Sequence, residues 1–384
     1  MFHLDADWTR SAGSVPFGRP RGSLSRVLED RSRFEEIGEH LVGRVAPGDL
    51  AELAPAWTAL WGRVDGADVS ALPDYVLPAM THLARAALPS IIVVWRQASG
   101  IAQARLVGLA AVLRVTRLFA APSVRFWTPP LAQAPVLLLD RDEAQGAAAA
   151  MLTWMARGTP VLLGLDLSLA PHEAARSGPL VAAARGLRLS VDMREASAAP
   201  RQAPANDAAE PPANGRLRVT LAKSHQEVAA AVEDFIALDI AAGRGSIVAD
   251  EPTANFIRVV ARGLANRDAC RVASVVANEE TVAHALVIGA RGRRQLWAVA
   301  AVPGWRERAE GLIVARLRVA QAPPSRADAA TSATIWLGPP DEAGRGWRGS
   351  PIPRRSEPRE ESRRRQAPVQ PATPGAPDRS SAGR

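Results

Sequence analysis

Cys270 is the only cysteine in 384 residues, so an intrachain disulfide is excluded, and no Cys/His cluster has zinc-ligand spacing. Lysine is nearly absent too: Lys223 stands alone, and arginine carries almost all of the positive side of a formal net charge of +8. Together with abundant Ala, Pro and Gly, this reads as the bias of a GC-rich coding sequence rather than as selection for a phosphate-binding surface. Residues 320–384 hold eleven Arg against seven Asp and Glu, so half of the excess lies outside the patterned chain, and charge gives little support to a nucleic-acid partner. One Tyr and seven Phe are too few to build stacking platforms for single strands, and the ten Trp are scattered. No run approaches the roughly eighteen uncharged apolar residues of a transmembrane helix. The opening residues lack a basic segment followed by an apolar one, so no signal peptide is expected. Also missing are a P-loop, a Gly-x-Gly-x-x-Gly after a strand, His-Glu-x-x-His and Gly-x-Ser-x-Gly, which removes support for NTPase, dinucleotide-binding, zincin and α/β-hydrolase chemistry. The expectation is a soluble cytoplasmic protein.

What is present is a chain 47% hydrophobic, long enough for two domains and a tail. Residues 1–45 are polar, with one short helical stretch expected over Leu24 to Val42. Residues 46–198 form a first lobe. Leu53, Trp57, Leu60 and Trp61 lie at i, i+4, i+7 and i+8, one face of an amphipathic helix, and LPDYVLPAMTHLARAAL predicts a second helix broken at Pro78. IIVVWRQ and ARLVGLAAVLRVTRL read as a β-hairpin about Ala98-Ser99-Gly100. APVLLLD, VLLGLDLS and LRLSVDMREA then alternate as strands with two helices, giving an α/β or α+β pattern.

Residues 199–215 lie within an unpatterned Ala/Pro/Asn stretch that reads as a linker. The second lobe, 216–320, begins with the strand RLRVTLA and a helix headed by Ser224 and Glu227, which match the capping box. Gly243-Arg244-Gly245 interrupts the helical run, and a further helix restarts near Pro252, capped by Asp250 or Thr253. CRVASVVAN, TVAHALVIGA and RQLWAVAAV predict an antiparallel meander, closed by the helix RERAEGLIVARLRVAQ. Residues 321–384 lose the pattern abruptly and have too few apolar residues to offset ordering entropy, so a disordered tail is predicted, of the composition that out-of-frame reading of GC-rich DNA produces.

The order of motifs in residues 49–320 resembles the GNAT superfamily, in particular the acetyltransferase domain often labelled with the cellulose-biosynthesis protein CelD and shared by the FemAB aminoacyltransferases. Leu238-Asp239 stands at the family's Leu-Glu, Arg244-Gly245 at its Lys-Gly turn, and Val282-Ala283-His284 at Val-Ala-Ala. Ala300 to Gly311 follows a twelve-residue motif, keeping Ala300, Pro303, Trp305 and Gly311. Ala301-Val302 replaces its Tyr-Asp, and Arg308-Ala309-Glu310 its Tyr-Ser-Pro. The resemblance implies tandem GNAT-like lobes, mixed and largely antiparallel, that transfer an acyl group from acetyl-CoA or another acyl-CoA to an amine or hydroxyl, in a setting such as cell-surface polysaccharide synthesis. It implies a pyrophosphate cradle at the helix opening with Arg306, Arg308 and Gly311. Asp239 and His284 are the candidate base or acceptor-binding residues. The bland readings are a solvated first helical turn with charge pairs, a capping Asp239, a satisfied half-buried His284 and an inert Cys270. A catalytically impaired accessory protein in polysaccharide synthesis is the alternative, and a FemAB-like enzyme using aminoacyl-tRNA the third.

Overall fold

The computed structural model describes residues 33–84, 87–98, 100–115, 123–158, 163–168, 174–194, 217–243, 246–248, 250–290, 293–319 and 332–337. Along the first lobe run β1 (Phe34–Ile37), β2 (His40–Val45), α1 (Leu50–Trp61), α2 (Pro73–His82), β3 (Ser90–Ala98), β4 (Gly100–Val115), β5 (Ser123–Phe126), β6 (Leu137–Leu139), α3 (Ala144–Arg157), β7 (Leu163–Ser168), α4 (Ala174–Gly186) and β8 (Ser190–Arg194). The second lobe follows with β9 (Leu217–Ala222), α5 (His225–Ala242), α6 (Glu251–Ala265), β10 (Cys270–Ala277), β11 (Glu280–Ala290), β12 (Arg293–Ala301) and α7 (Arg306–Leu317), and the chain then forms β13 (Ser332–Leu337).

Two sheets result. The first has the order β1-β2-β3-β4-β5-β7-β13-β8 with β6 on β4, antiparallel except for the pair β5 and β7; the second is β12-β11-β10-β9, antiparallel throughout. One face of the first sheet packs Ile92, Val94 and Ala110 against Ala147 and Met151 of α3 and Leu180 of α4. Its other face contributes Ile91, Val93 and Leu109 to a larger core that runs through Trp57 of α1, Tyr75 of α2, Phe235 of α5 and Phe256 of α6 to Leu286 and Ile288 of the second sheet. The far side of that sheet packs Ala283, Ala285 and Val299 on Ala309 and Ile313 of α7. Four helices thus lie between two sheets, and the interior is continuous from one lobe to the other.

Local signals behave as their chemistry requires. Ser224 Oγ accepts from Glu227 N (3.2 Å) while Glu227 Oε2 accepts from Ser224 N (3.1 Å), which completes the capping box. Asp250 caps α6, its Oδ1 accepting from the N–H (2.9 Å) and Oγ1 (2.7 Å) of Thr253.

Three expectations are corrected. The helix expected over 24–42 is, from Phe34, a hairpin: Gly38 at φ +60° takes the first of two turn positions between Ile37 and His40, the place a Gly-x hairpin turn assigns to glycine. Pro78 does not break α2; it lies buried inside the helix, where packing outweighs one lost N–H donor. Order also returns after residue 321. β13 pairs with β7 on one side and β8 on the other, and Ala333, Ile335 and Leu337 are at most 1% exposed, an alternation that repays ordering. The linker at 199–215, the turn residues Arg244 and Gly245, and the tail beyond 337 lie outside the described residues.

Candidate functional site

Asp239 sits in the last turn of α5 and is 2% exposed. Its Oδ2 accepts from Ser246 Oγ at 2.6 Å and from Val248 N at 2.7 Å, so this carboxylate fastens the segment after α5 back onto the helix. Gly243, at φ +72°, ends the helix. The two short bonds to Oδ2 give Asp239 an anchoring role. Glu233, the neighbouring carboxylate, is held by Arg258 of α6 through two bonds of 2.7 and 2.8 Å, and the Arg258 hydrogen bond keeps its pKa low.

His284 has a different setting. It lies mid-β11, 8% exposed, on the sheet face covered by α5, and its Nδ1 is 2.9 Å from Ser274 Oγ on β10. Burial lowers its pKa from the ordinary 6.5, and Asp234 opposes this weakly, so the imidazole is neutral at pH 7. The register places Thr220, Ser274, His284 and Ala300 opposite one another in turn across β9, β10, β11 and β12. Cross-strand neighbours share a face, so a polar row crosses the sheet and ends beside β12, the edge strand. Ser274 was not foreseen from the sequence. Counting back from the turn Asn278-Glu279 pairs it with Ala283; a bulge between Val275 and Val276 shifts the register by one and brings His284 opposite.

The turn from β12 into α7 passes through Gly304 at φ +83° to Trp305, whose side chain gives no cap to the helix. The first N–H groups of α7 are therefore free of a side-chain acceptor from the N-cap, the setting in which a helix end attracts anions. Arg306 pairs with Glu310 at 3.4 Å, and the Arg308 guanidinium lies 5.3 Å from the Trp305 ring centroid. The first is an i,i+4 ion pair and the second a cation–π contact three residues apart, and both arginines flank the helix opening. Gly311 lies within α7 on its exposed side, and an added Cβ there meets nothing within 4 Å, so no close approach requires glycine. Cys270 is buried, and burial pushes its thiol up to about 12, which makes it inert.

The first lobe offers a second helix opening, that of α3 after β6. There the turn carries Asp140, Asp142 and Glu143. Asp140 is fully buried against Arg63 Nε at 2.6 Å, with Arg105 at 3.7 Å, and Glu143 pairs with Arg96. Carboxylates already occupy this helix opening, so a phosphate is disfavoured there by like charge. Neither opening has a side-chain cap from its N-cap residue; the N-cap of α3 is itself a carboxylate, Glu143, whereas α7 begins with Arg306 and Arg308 alternating with Glu307 and followed by Glu310. No helix among the described residues is long and apolar enough to cross a membrane, and none of their His, Cys, Asp and Glu side chains group into a metal-holding set.

Comparison with known proteins bears on the second lobe. No curated protein matches the chain. Among solved structures it is similar to a tandem GNAT protein from the clavulanic acid biosynthesis pathway (14% identity, 78% of this chain and 99% of that one, TM-score 0.36). It is also similar to FemX (9%, 73% and 86%, 0.34) and to a GCN5-related N-acetyltransferase from Sphaerobacter thermophilus (13%, 79% and 96%, 0.24). Residues 208–323 match the acetyltransferase (GNAT) domain family, and the elements from β9 to α7 take the GNAT fold.

Proposed function

We propose that the chain is an acyl-CoA-dependent acyltransferase acting on an amine or hydroxyl, with its chemistry in the second lobe. One observation carries the reading: within the region that matches the GNAT family, a neutral imidazole, His284, is held by Ser274 one strand away from Ala300 on the edge strand that leads into the uncapped opening of α7. Acyl-CoA supplies the activated thioester. The residues at the α7 opening would favour its phosphates through N–H groups that take no bond from the N-cap side chain and through Arg306 and Arg308, with Glu307 and Glu310 opposing. In the tautomer whose Nδ1–H donates to Ser274 Oγ, Nε2 of the neutral His284 would take the proton that the acceptor loses as its bond to the acyl carbon forms, while the thioester C–S bond breaks and CoA leaves as the thiol. A polysaccharide precursor is a suitable acceptor on the ground of the CelD-like resemblance alone.

The replacement of Tyr-Asp by Ala301-Val302 and of Tyr-Ser-Pro by Arg308-Ala309-Glu310 favours a second reading, an accessory protein with the GNAT fold and no turnover. Thermal unfolding of the full chain with acetyl-CoA and longer acyl-CoAs separates the two. An enzyme shows a saturable rise in Tm by mass action, reduced about tenfold in apparent affinity by R306Q/R308Q together. His284→Gln should leave that rise intact while turnover, once an acceptor is found, falls by about 10²–10⁴. A folded protein that gives no shift at about 1 mM of any acyl-CoA favours the accessory reading.

A further inference from the structure

A cavity of ≈ 290 Å³ lies between the lobes, walled by Trp61 at the end of α1 and Leu72 on one side and by Arg267, Asp268, Ala290 and Arg294 on the other. It opens at the start of β12, whereas α7 follows the end of that nine-residue strand, so it is about 25 Å along the sheet from the proposed acyl-CoA site.

The charges on its wall do not cancel. Arg267 Nε is 2.8 Å from Asp74 Oδ2 of the first lobe, and Asp268 is taken by Arg271 through contacts of 2.8 and 3.2 Å. The Arg294 side chain is half-buried and makes no hydrogen bond or close ion pair among the described residues; the Asp268 carboxylate, already held by Arg271, attracts it only through space. A half-buried guanidinium whose attracting carboxylate is committed to another arginine is left undercompensated, and an incoming anion relieves that cost. The rest of the wall is Trp61, Leu72, Ala269, Gly289 and Ala290, with Thr58 as its one uncharged hydroxyl. It is held in place, since Gly289 N donates to Ala269 O at 2.9 Å and Trp61 Nε1 donates to Asp68 O at 2.8 Å. A volume just under the range of drug-sized pockets, about 300–1,000 Å³, limits the occupant to a small molecule.

We infer that this cavity is a binding site for a small monocarboxylate with a compact apolar body, its carboxylate on Arg294 and its body against Trp61, Leu72 and Ala290. The site touches both lobes, so its ligand bridges them and stabilises the folded chain, independently of acyl-CoA.

Benzoate is the probe, with benzamide as its neutral counterpart, added to the full chain in calorimetric titration and thermal unfolding. Benzoate should bind saturably and, at about twentyfold its dissociation constant, raise Tm by about 2–4 °C. Benzamide should bind at least about tenfold more weakly, and Arg294→Gln should weaken benzoate by about 10- to 100-fold. Ala290→Leu, which fills the space without touching a charge, should abolish binding and guards against a failure of Arg294→Gln to fold. Absence of heat and shift at about 20 mM benzoate overturns the proposal. So does equal binding of benzamide, or undiminished binding to Arg294→Gln. Acetyl-CoA response unchanged in Arg294→Gln is expected, so failure here leaves the acyltransferase reading standing.

Discussion

At the scale of single residues, His284 and Asp239 are two buried titratable groups that are satisfied in different ways. Asp239 gives its carboxylate oxygen to two donors that no local motif announces, seven and nine residues on, and the sequence therefore left open whether it caps, anchors or catalyses. His284 was legible as a half-buried strand histidine, but its partner Ser274 was concealed by the bulge that shifts the register. Burial has a consequence for stability. The folded pKa of His284 is below the ordinary 6.5, with desolvation the main cause. As pH falls through about 6.5, the unfolded chain takes up the proton first, so stability falls with pH until the folded form also titrates, and it is unaffected above that window. His40 has the same sign, from burial first and then Arg96. His284→Gln should therefore lose less stability than the parent between pH 7.5 and pH 5, as read from urea midpoints at the two values. Equal losses in both proteins assign the acid sensitivity to other groups.

At the scale of elements, patterning decided what could be read. β3, β4, α5, α6 and the meander β10 to β12 carry long runs with one period, and their order was legible. β5 is four residues long and β1 and β2 present charged residues that also suit a helix, so their pairing depends on partners distant in sequence. β13 was hidden most deeply, as six residues in a Pro- and Arg-rich context. Its alternation has meaning only between β7 and β8, where Thr334 Oγ1 donates to Asp166 Oδ1 at 3.0 Å and Trp336 Nε1 to Asp192 Oδ2 at 2.7 Å. As β8 has no other neighbour in the sheet, it depends on β13 for its place. Ile335 is fully buried there, and Ile335→Ala should cost about 2–5 kcal/mol of local protection. In hydrogen exchange, amides of β8 should then exchange ahead of those of β3 and β4; unchanged protection of β8 would contradict this placement.

For the whole molecule the question is whether the lobes are two stability units or one. A tandem arrangement suggests independence, and the core argues otherwise. Tyr75 of α2 packs against Phe256 of α6 at 5.3 Å, nearly edge-on, and against Trp297 of β12 at 5.6 Å. Burial raises the Tyr75 pKa well above 10.0, and its hydroxyl donates to Pro130 O at 3.0 Å. Trp297 Nε1 reaches Leu131 O at 2.9 Å, and Gln295 Nε2 reaches Asp68 Oδ2 at 3.0 Å, so polar bonds rim an aromatic centre. Opening the lobes exposes that centre and breaks the two bonds that cross between them, Trp297 to Leu131 and Gln295 to Asp68, so separation costs more than an interface of exposed ion pairs would. Phe256 is fully buried at the joint, and Phe256→Ala should destabilise by about 3–5 kcal/mol. If the lobes are one unit, this substitution in the second lobe lowers the urea midpoint for amides of β3 and β4 as much as for those of β10 and β11. A midpoint that moves only for β10 and β11 means that the first lobe stands alone, and the bridge between the sheets then contributes orientation rather than stability.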